Sequence, residues 1–336
     1  MTGPLTPGGP DGHTSGVSGS ASGVSGPASG VSGPASGVSG VAPGVSGLLP
    51  AASVPKLVAV VGGGRMGAGI AQVFAVAGAM VCLVERDPAT AAAARDRVAM
   101  GLHRAAEKGR LTELADAVLE RLRLVDDVSG LSPDTDLVVE AVPEEAPLKV
   151  RVLAAAERAV GEQTVLASNT SSLSITGLAD GLRRPERFLG MHFFNPVPAS
   201  KLVELVTSSL TGDAAREAAR SWVAGLGKSD VVVRDSPGFA TSRLGVLLGL
   251  EAMRMLEEGV ADAAAIDRAM ELGYRHPMGP LRSTDLVGLD VRLAIAEHLH
   301  HELGDRFAPP RLLRDKVARG ELGRKAGQGF FTWEAS

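Results

Sequence analysis

A histidine and a glutamate sit on either side of two prolines in this chain. The stretch reads Met191-His192-Phe193-Phe194-Asn195-Pro196-Val197-Pro198-Ala199-Ser200-Lys201-Leu202-Val203-Glu204-Leu205-Val206. Two apolar runs joined by a proline-enforced turn predict strand-turn-strand, which brings the imidazole and the carboxylate together. Such a pair does general acid–base work. Imidazole takes a proton near neutral pH, and a buried carboxylate on its other nitrogen fixes the tautomer and stabilises the imidazolium. A lone histidine in an apolar run is more often a hydrogen-bonded core residue, so the rest of the chain has to decide.

Three glycines make a second candidate site. Gly62-Gly63-Gly64-Arg65-Met66-Gly67 places Gly62, Gly64 and Gly67 in Gly-x-Gly-x-x-Gly spacing, after the β-branched run Lys56–Val61 and before a helical pattern over 68–77. In that context the first glycine allows the turn, the second admits a pyrophosphate and the third lets helix and strand pack closely. A second strand over 80–84 ends at Glu85, placed to bind adenosine ribose hydroxyls and to repel a 2′-phosphate. NAD is therefore expected, and the neighbouring Arg86 keeps NADP as the alternative. Glu140, Glu144, Ser168, Asn169 and Ser171 fall at or just after later predicted strand ends, where ligands bind in open α/β sheets. Helix caps and turn residues are the plainer account of such polar positions, and it is preferred for Ser172 and Ser174. His298, His300 and His301 invite a metal reading, but no acid or cysteine cluster accompanies them, and a solvated helix face is expected.

The elements that must position these residues follow from periodicity. Strands are predicted over 122–125, 136–142, 164–167, 188–194, 201–206 and 230–233. Helices are predicted over 89–106, 111–122, 145–160 and 213–226, and from Pro237 the pattern is helical to about Arg319, with breaks at 273–280 and 308–310. The expected fold class is α/β: a Rossmann-like doubly wound sheet over 55–235 with a helical arm at about 89–122, then an all-α C-terminal domain over 236–336. Leu244, Leu247, Leu248, Leu250, Met253, Met255 and Leu256 exceed what one buried helix face needs, so part of this surface is expected to pair two copies as a homodimer; core is the plainer alternative. Residues 1–54 are different. From Gly16 they carry five seven-residue repeats beginning Gly-Val-Ser-Gly, with two glycines each and too little apolar surface to offset chain entropy, so a disordered tail is expected.

Composition excludes several classes. The 336 residues are 45% apolar with a formal charge of −4 and 3% aromatics, which gives no footprint for nucleic acid or an anionic membrane. No apolar run approaches the ~18–20 residues of a membrane helix. The single cysteine, Cys82, lies in an apolar strand and reads as a buried thiol in a reducing compartment. The tail has no Lys or Arg, which argues against a secretory or transit signal, so a cytoplasmic protein is expected.

The ordered motifs resemble the 3-hydroxyacyl-CoA dehydrogenase family, in its short 3-hydroxybutyryl-CoA dehydrogenase form. They are Gly62–Gln72, Val139–Val142, Ala167–Leu173, His192–Glu204, Asp235–Phe239, Pro277–Pro280 with Asp285 and Gly288–Asp290, and Gly323–Lys325 with Gly327–Phe331. The resemblance implies hydride transfer between NAD and C3 of a short L-3-hydroxyacyl-CoA thioester, within lipid metabolism. It implies His192 as the base, Glu204 as its partner and Ser171 as the serine bonding the substrate oxygen. It further implies cofactor contacts at Gly62 through Gly67, Glu85, Glu144, Lys149, Ser171, Asn195 and Lys325, and a coenzyme A phosphate contact at Lys108.

The chain departs from that pattern in three places. Gly101 stands where a serine usually accompanies the Lys108 contact. Ser242 stands where the family has an Asn that helps hold the thioester; its hydroxyl lacks the amide's two-donor geometry, and one lost oxyanion donor costs about 2.7–4 kcal/mol. Arg282 stands where an uncharged or acidic residue is usual. Ser242 or Arg282 is therefore expected to adapt the pocket to a more polar acyl group. The alternatives kept open are the same chemistry on an acyl-carrier-protein thioester or another polar 3-hydroxy acid, and a cofactor-binding protein without turnover. The latter is disfavoured because His192, Glu204 and Ser171 are all present.

Overall fold

The computed structural model describes residues 52–334; the expected tail lies, up to residue 51, outside the described residues. Strand β1 (Leu57–Val61) leads through the glycine turn into helix α1 (Arg65–Val76), followed by β2 (Met80–Val84), α2 (Pro88–Glu107), α3 (Ala115–Leu119) and β3 (Leu122–Val125). The chain then crosses to the other side of β1 and adds β4 (Leu137–Glu140), α4 (Ala146–Ala159), β5 (Val165–Ser168), α5 (Ile175–Ala179), β6 (Phe188–Phe193), β7 (Leu202–Thr207), α6 (Asp213–Gly225) and β8 (Ser229–Arg234). The sheet order is β3-β2-β1-β4-β5-β6-β7-β8. Neighbouring strands run parallel except β6 and β7, which are antiparallel. Strand order reverses between the parallel strands β1 and β4, and this is the switch point at which open α/β sheets bind ligands.

The central strands are near-continuous apolar runs because both faces are covered. One core layer packs α1, α2 and α6 on the sheet through Ile70, Phe74, Val98, Leu102 and Val223. The other packs α4 and α5 through Leu153, Ala156, Ile175 and Leu178. The helix expected over 111–122 shrinks to Ala115–Leu119. Of that stretch Ala115, Val118 and Leu119 are buried in the helix, whereas Leu114 is 80% exposed. Short helices hold only where packing supports them.

Five helices complete the described chain: α7 (Thr241–Glu257), α8 (Ala263–Gly273), α9 (Pro280–Val287), α10 (Leu289–Leu303) and α11 (Arg311–Ala318). Gly288, at φ +103°, separates α9 from α10, a conformation that glycine adopts without cost. These helices share a core of Val246, Leu250, Met253, Leu281, Leu289, Leu299 and Phe307. The apolar surplus on α7 divides between two faces: Leu250 and Met253 are fully buried, while Leu244 and Leu248 are exposed. Among the described residues, no helix is long and apolar enough to cross a membrane.

Candidate active site

Because β1, β4, β5 and β6 run parallel, their carboxyl ends share one edge of the sheet, and the polar residues after them gather there. At the end of β1 the glycines have different jobs. A Cβ on Gly62 would lie 2.8 Å from the Ala141 carbonyl oxygen, and one on Gly67 would fall 1.7 Å from the Gly62 oxygen. Both are close backbone approaches. Gly64 is different: it is the N-cap of α1 without a side-chain cap, and a Cβ there would meet nothing within 4 Å. The open space lies at a helix N-terminus, whose N–H groups and dipole favour an anion. Glu85 closes one side of this turn, accepting the Gly63 N–H at 2.5 Å and the Thr90 hydroxyl at 3.3 Å. Arg97 braces the turn through Gly63 O at 3.1 Å. The turn fits a dinucleotide pyrophosphate.

The ends of β4 and β5 are tied by buried charge. Glu140, the last residue of β4, is fully buried; it accepts Lys149 Nζ at 2.7 Å, the Val142 N–H at 2.7 Å and the Ser168 hydroxyl at 2.6 Å. Burial pushes the Glu140 carboxyl up, and Lys149 with the hydrogen bonds only partly offsets this. Lys149 also reaches Glu144 at 3.2 Å. Burial raises the Glu144 carboxyl too, but there the Lys149 charge and the Thr170 and Ser171 hydrogen bonds prevail and hold it below its ordinary value. Lys149 is therefore 1% exposed and committed to two carboxylates. It also borders the cavity, where its cofactor contact was expected. Ser174 caps α5 through the Gly177 N–H, as expected of a turn residue. Ser172 instead donates to Glu144 at 3.2 Å.

The strand-turn-strand element forms as expected. His192 and Glu204 are opposite each other in the β6–β7 register. His192 Nδ1 lies 2.8 Å from Glu204 Oε2. A carboxylate only accepts, so Nδ1 carries a proton, and in the neutral imidazole Nε2 keeps the lone pair. Glu204 is fully buried and saturated: it also accepts the Ala240 N–H at 3.1 Å, the Thr241 N–H at 2.9 Å and the Thr241 hydroxyl at 2.6 Å. Burial raises its carboxyl, but the His192 and Thr241 hydrogen bonds and the His192 charge outweigh it, and the net shift is downward. Phe194 and Phe239 wall the imidazole at ring-centroid distances of 4.3 and 5.9 Å.

A cavity of about 590 Å³ opens in front of this pair, between the strand ends and α7, α9 and α10. Met66, Glu144, Lys149, Asn169, Ser171, His192, Asn195 and Ser242 line it, so eight of the expected site residues converge. Ser242 reaches across to the Ser171 carbonyl oxygen at 3.4 Å. Glu204 stands behind His192. Lys108 is exposed at the end of α2, and Lys325 is held by Asp290 at 2.6 Å; neither lines the cavity. A Cβ at Gly101 would fall 2.2 Å from Gln72 Oε1, so the Gln72 side chain occupies the room a serine would need. Arg282 is a correction. Its guanidinium stacks 4.3 Å over Phe331 and 5.4 Å from the Trp333 ring, outside the cavity lining. Three residues went unrecognised in the sequence: Thr170, Thr241 and Arg292. Thr241 lies two residues after Phe239, the last residue of a recognised motif, but nothing in its neighbours shows that its hydroxyl turns to Glu204.

Comparison with known proteins gives the same outline. The family model described as "3-hydroxyacyl-CoA dehydrogenase, NAD binding domain" matches residues 57–236, and the C-terminal domain of the same family matches 238–333. The 3-hydroxybutyryl-CoA dehydrogenase of Mycobacterium tuberculosis is 43% identical over 280 residues, covering 82% of this chain and 98% of that one. A probable 3-hydroxybutyryl-CoA dehydrogenase of Deinococcus radiodurans is 41% identical over 275 residues, covering 82% and 99%. The crystal structure of (S)-3-hydroxybutyryl-CoA dehydrogenase PaaH1 from Ralstonia eutropha superposes with a TM-score of 0.79 at 41% identity, covering 84% of this chain and all of that one.

Proposed function

This chain belongs to the 3-hydroxyacyl-CoA dehydrogenase family, and from that premise we propose that it interconverts short L-3-hydroxyacyl-CoA and 3-ketoacyl-CoA thioesters with His192 as general base and acid. The observation that carries this reading is the buried His192–Glu204 pair facing a cavity that Ser171 also lines. The cofactor of the family's N-terminal domain is NAD, which when bound supplies the hydride acceptor in oxidation and, reduced, the donor in the reverse reaction.

The chain's own residues do the rest. The N-terminus of α1 and the open face of Gly64 would hold the pyrophosphate through backbone N–H groups. Glu85 is placed for the ribose hydroxyls and disfavours a 2′-phosphate, so NAD is preferred over NADP. Glu144 and Asn195, which line the cavity, would contact the cofactor when it is bound. The Ser171 hydroxyl positions the substrate's C3 oxygen. His192 Nε2 takes the hydroxyl proton as the C3–H bond breaks, and Glu204 stabilises the imidazolium that forms. In reduction the same Nε2 returns the proton. Ser242 donates toward the thioester carbonyl.

A second reading keeps the chemistry and changes the carrier to an acyl carrier protein. The Gln72 side chain against Gly101, and Lys108 away from the cavity, favour it. The exposed Leu244 and Leu248 on α7 support a homodimer through the C-terminal helices, to be checked by sedimentation. The deciding assay follows NADH and NADPH oxidation with acetoacetyl-CoA and an acetoacetyl carrier-protein substrate. NADH-dependent reduction of acetoacetyl-CoA that collapses in His192→Gln supports the reading. Full turnover by His192→Gln would overturn the role of that residue.

A further inference from the structure

Arg292, in the first turn of α10, is 6% exposed and lines the same cavity. Its room is made by α7, which carries glycine on the facing turns. A Cβ at Gly245 would lie 3.7 Å from Arg292 Nη1, and one at Gly249 4.0 Å from Nε. Among the described residues no carboxylate answers this guanidinium. Asp285 accepts from the Phe330 and Phe331 N–H groups and from the Trp333 indole. Asp290 is paired with Lys325, and Asp267 accepts the N–H groups of Leu281 and Arg282. Arg292 Nε is buried with no hydrogen-bond partner. Burial lowers the Arg292 pKa to about 10, which leaves it charged at neutral pH. A buried, charged and unanswered arginine is among the costliest features a folded core can hold. The direction left for its compensation is the cavity.

Its place along α7 says which part of a ligand it meets. The N-terminal end of α7 holds Glu204 through Thr241, and Ser242 beside it reaches Ser171. Gly245 is one turn further on, ~5 Å along the helix axis and on the same face as Ser242. With the reacting carbon between His192 and Ser171, the guanidinium lies toward the far end of the acyl chain. Resting on the thioester chemistry proposed above, we infer that this site takes 3-hydroxyacyl thioesters whose acyl chain ends in a carboxylate, and that Arg292 is the specificity-determining residue that pairs with it.

The test is a matched pair of substrates for the full-length enzyme with NADH: 3-oxohexanoyl-CoA and 3-oxoadipyl-CoA, which have the same chain length and end in a methyl or a carboxylate. The wild type should favour the carboxylate by about 10- to 100-fold in kcat/KM, chiefly through KM, as befits a charge-assisted pair. Arg292→Met should lose that preference, and Arg292→Lys should keep part of it. Arg292→Met should also melt at a higher temperature, because it removes an unpaired buried charge. Equal or lower wild-type activity on the carboxylate substrate overturns the inference, as does an Arg292→Met variant that slows both substrates alike. Either result, with acetoacetyl-CoA still reduced, leaves the thioester reading standing. Absence of turnover with every thioester overturns both.

Discussion

Glu204 holds His192 from directly across the β6–β7 ladder, Nδ1 to Oε2 at 2.8 Å, and is itself held by the first residues of α7. The sheet and the helical segment are thus joined at the imidazole. Register places the two side chains on the same face of neighbouring strands, so the turn sequence between them sets the geometry of the pair.

Glu204→Gln should therefore keep the fold but lose the anion that supports a protonated imidazole. A fall in kcat of about 10²- to 10⁴-fold is expected, with a much smaller change in KM. The pH dependence of stability checks the same bond. The folded Glu204 carboxyl lies below its ordinary value of 4.5. Its contribution is present above that value and is lost as pH falls through the folded pKa. Urea midpoints measured between pH 7 and pH 3 should show a smaller acid loss in Glu204→Gln than in the wild type.

Thr241→Val removes the 2.6 Å hydroxyl bond to Glu204 and leaves its N–H bond in place. One buried acceptor site is left unanswered, at a cost of about 1–3 kcal/mol in stability. The carboxylate gains freedom to turn from His192, so kcat should fall about tenfold, within the range of general acid–base effects. Thr241→Ser should restore most of both. Equal kcat for Val and Ser variants would show that the hydroxyl plays no part in positioning Glu204.

Lys149→Met tests the buried charge between β4 and β5. It leaves Glu140 without its 2.7 Å partner in a fully buried position. Breaking such a pair from one side costs about 3–5 kcal/mol. The double variant Glu140→Gln/Lys149→Met, with no charge left to strand, should recover a large part of this. The sign with pH is opposite to that of Glu204. The folded Glu140 carboxyl already lies above 4.5, so its ionisation opposes folding. In Lys149→Met that penalty grows as pH rises from 4.5 through the folded value, and acidification toward 4.5 should stabilise the variant. Denaturant titrations at two pH values decide it.

Much of this architecture was readable from residue order, because the signals were local. Gly62, Gly64 and Gly67 sit between a strand and a helix, and His192 and Glu204 sit on two runs joined by a short proline turn. What could not be read depends on distant segments. Arg282 and Arg292 both lie in helical sequence, but Gly288 breaks the helix between them and resets its phase. Arg282 then meets Phe331 and Trp333, brought from far along the chain. Arg292 turns to the cavity because Gly245 and Gly249 leave space on another helix. The pairing of Lys149 with two carboxylates was equally out of reach, because its partners come from the end of β4 and the loop after it.

The glycine turn offers a separation of binding from folding. Gly64 has φ −59° and ψ −173°, a negative φ at the edge of the extended region open to alanine, and its added Cβ would meet no protein atom within 4 Å. Gly64→Ala should therefore fold with stability within about 1 kcal/mol of the wild type. The new methyl would stand in the open space at the N-terminus of α1, where backbone N–H groups would face a bound pyrophosphate. The Kd for NADH by calorimetry should rise at least about tenfold, a loss near 1.4 kcal/mol. Gly67→Ala puts its methyl 1.7 Å from a backbone oxygen and should instead lower the melting temperature sharply. A Gly64→Ala protein that binds NADH as tightly as the wild type would place the pyrophosphate elsewhere than over this turn.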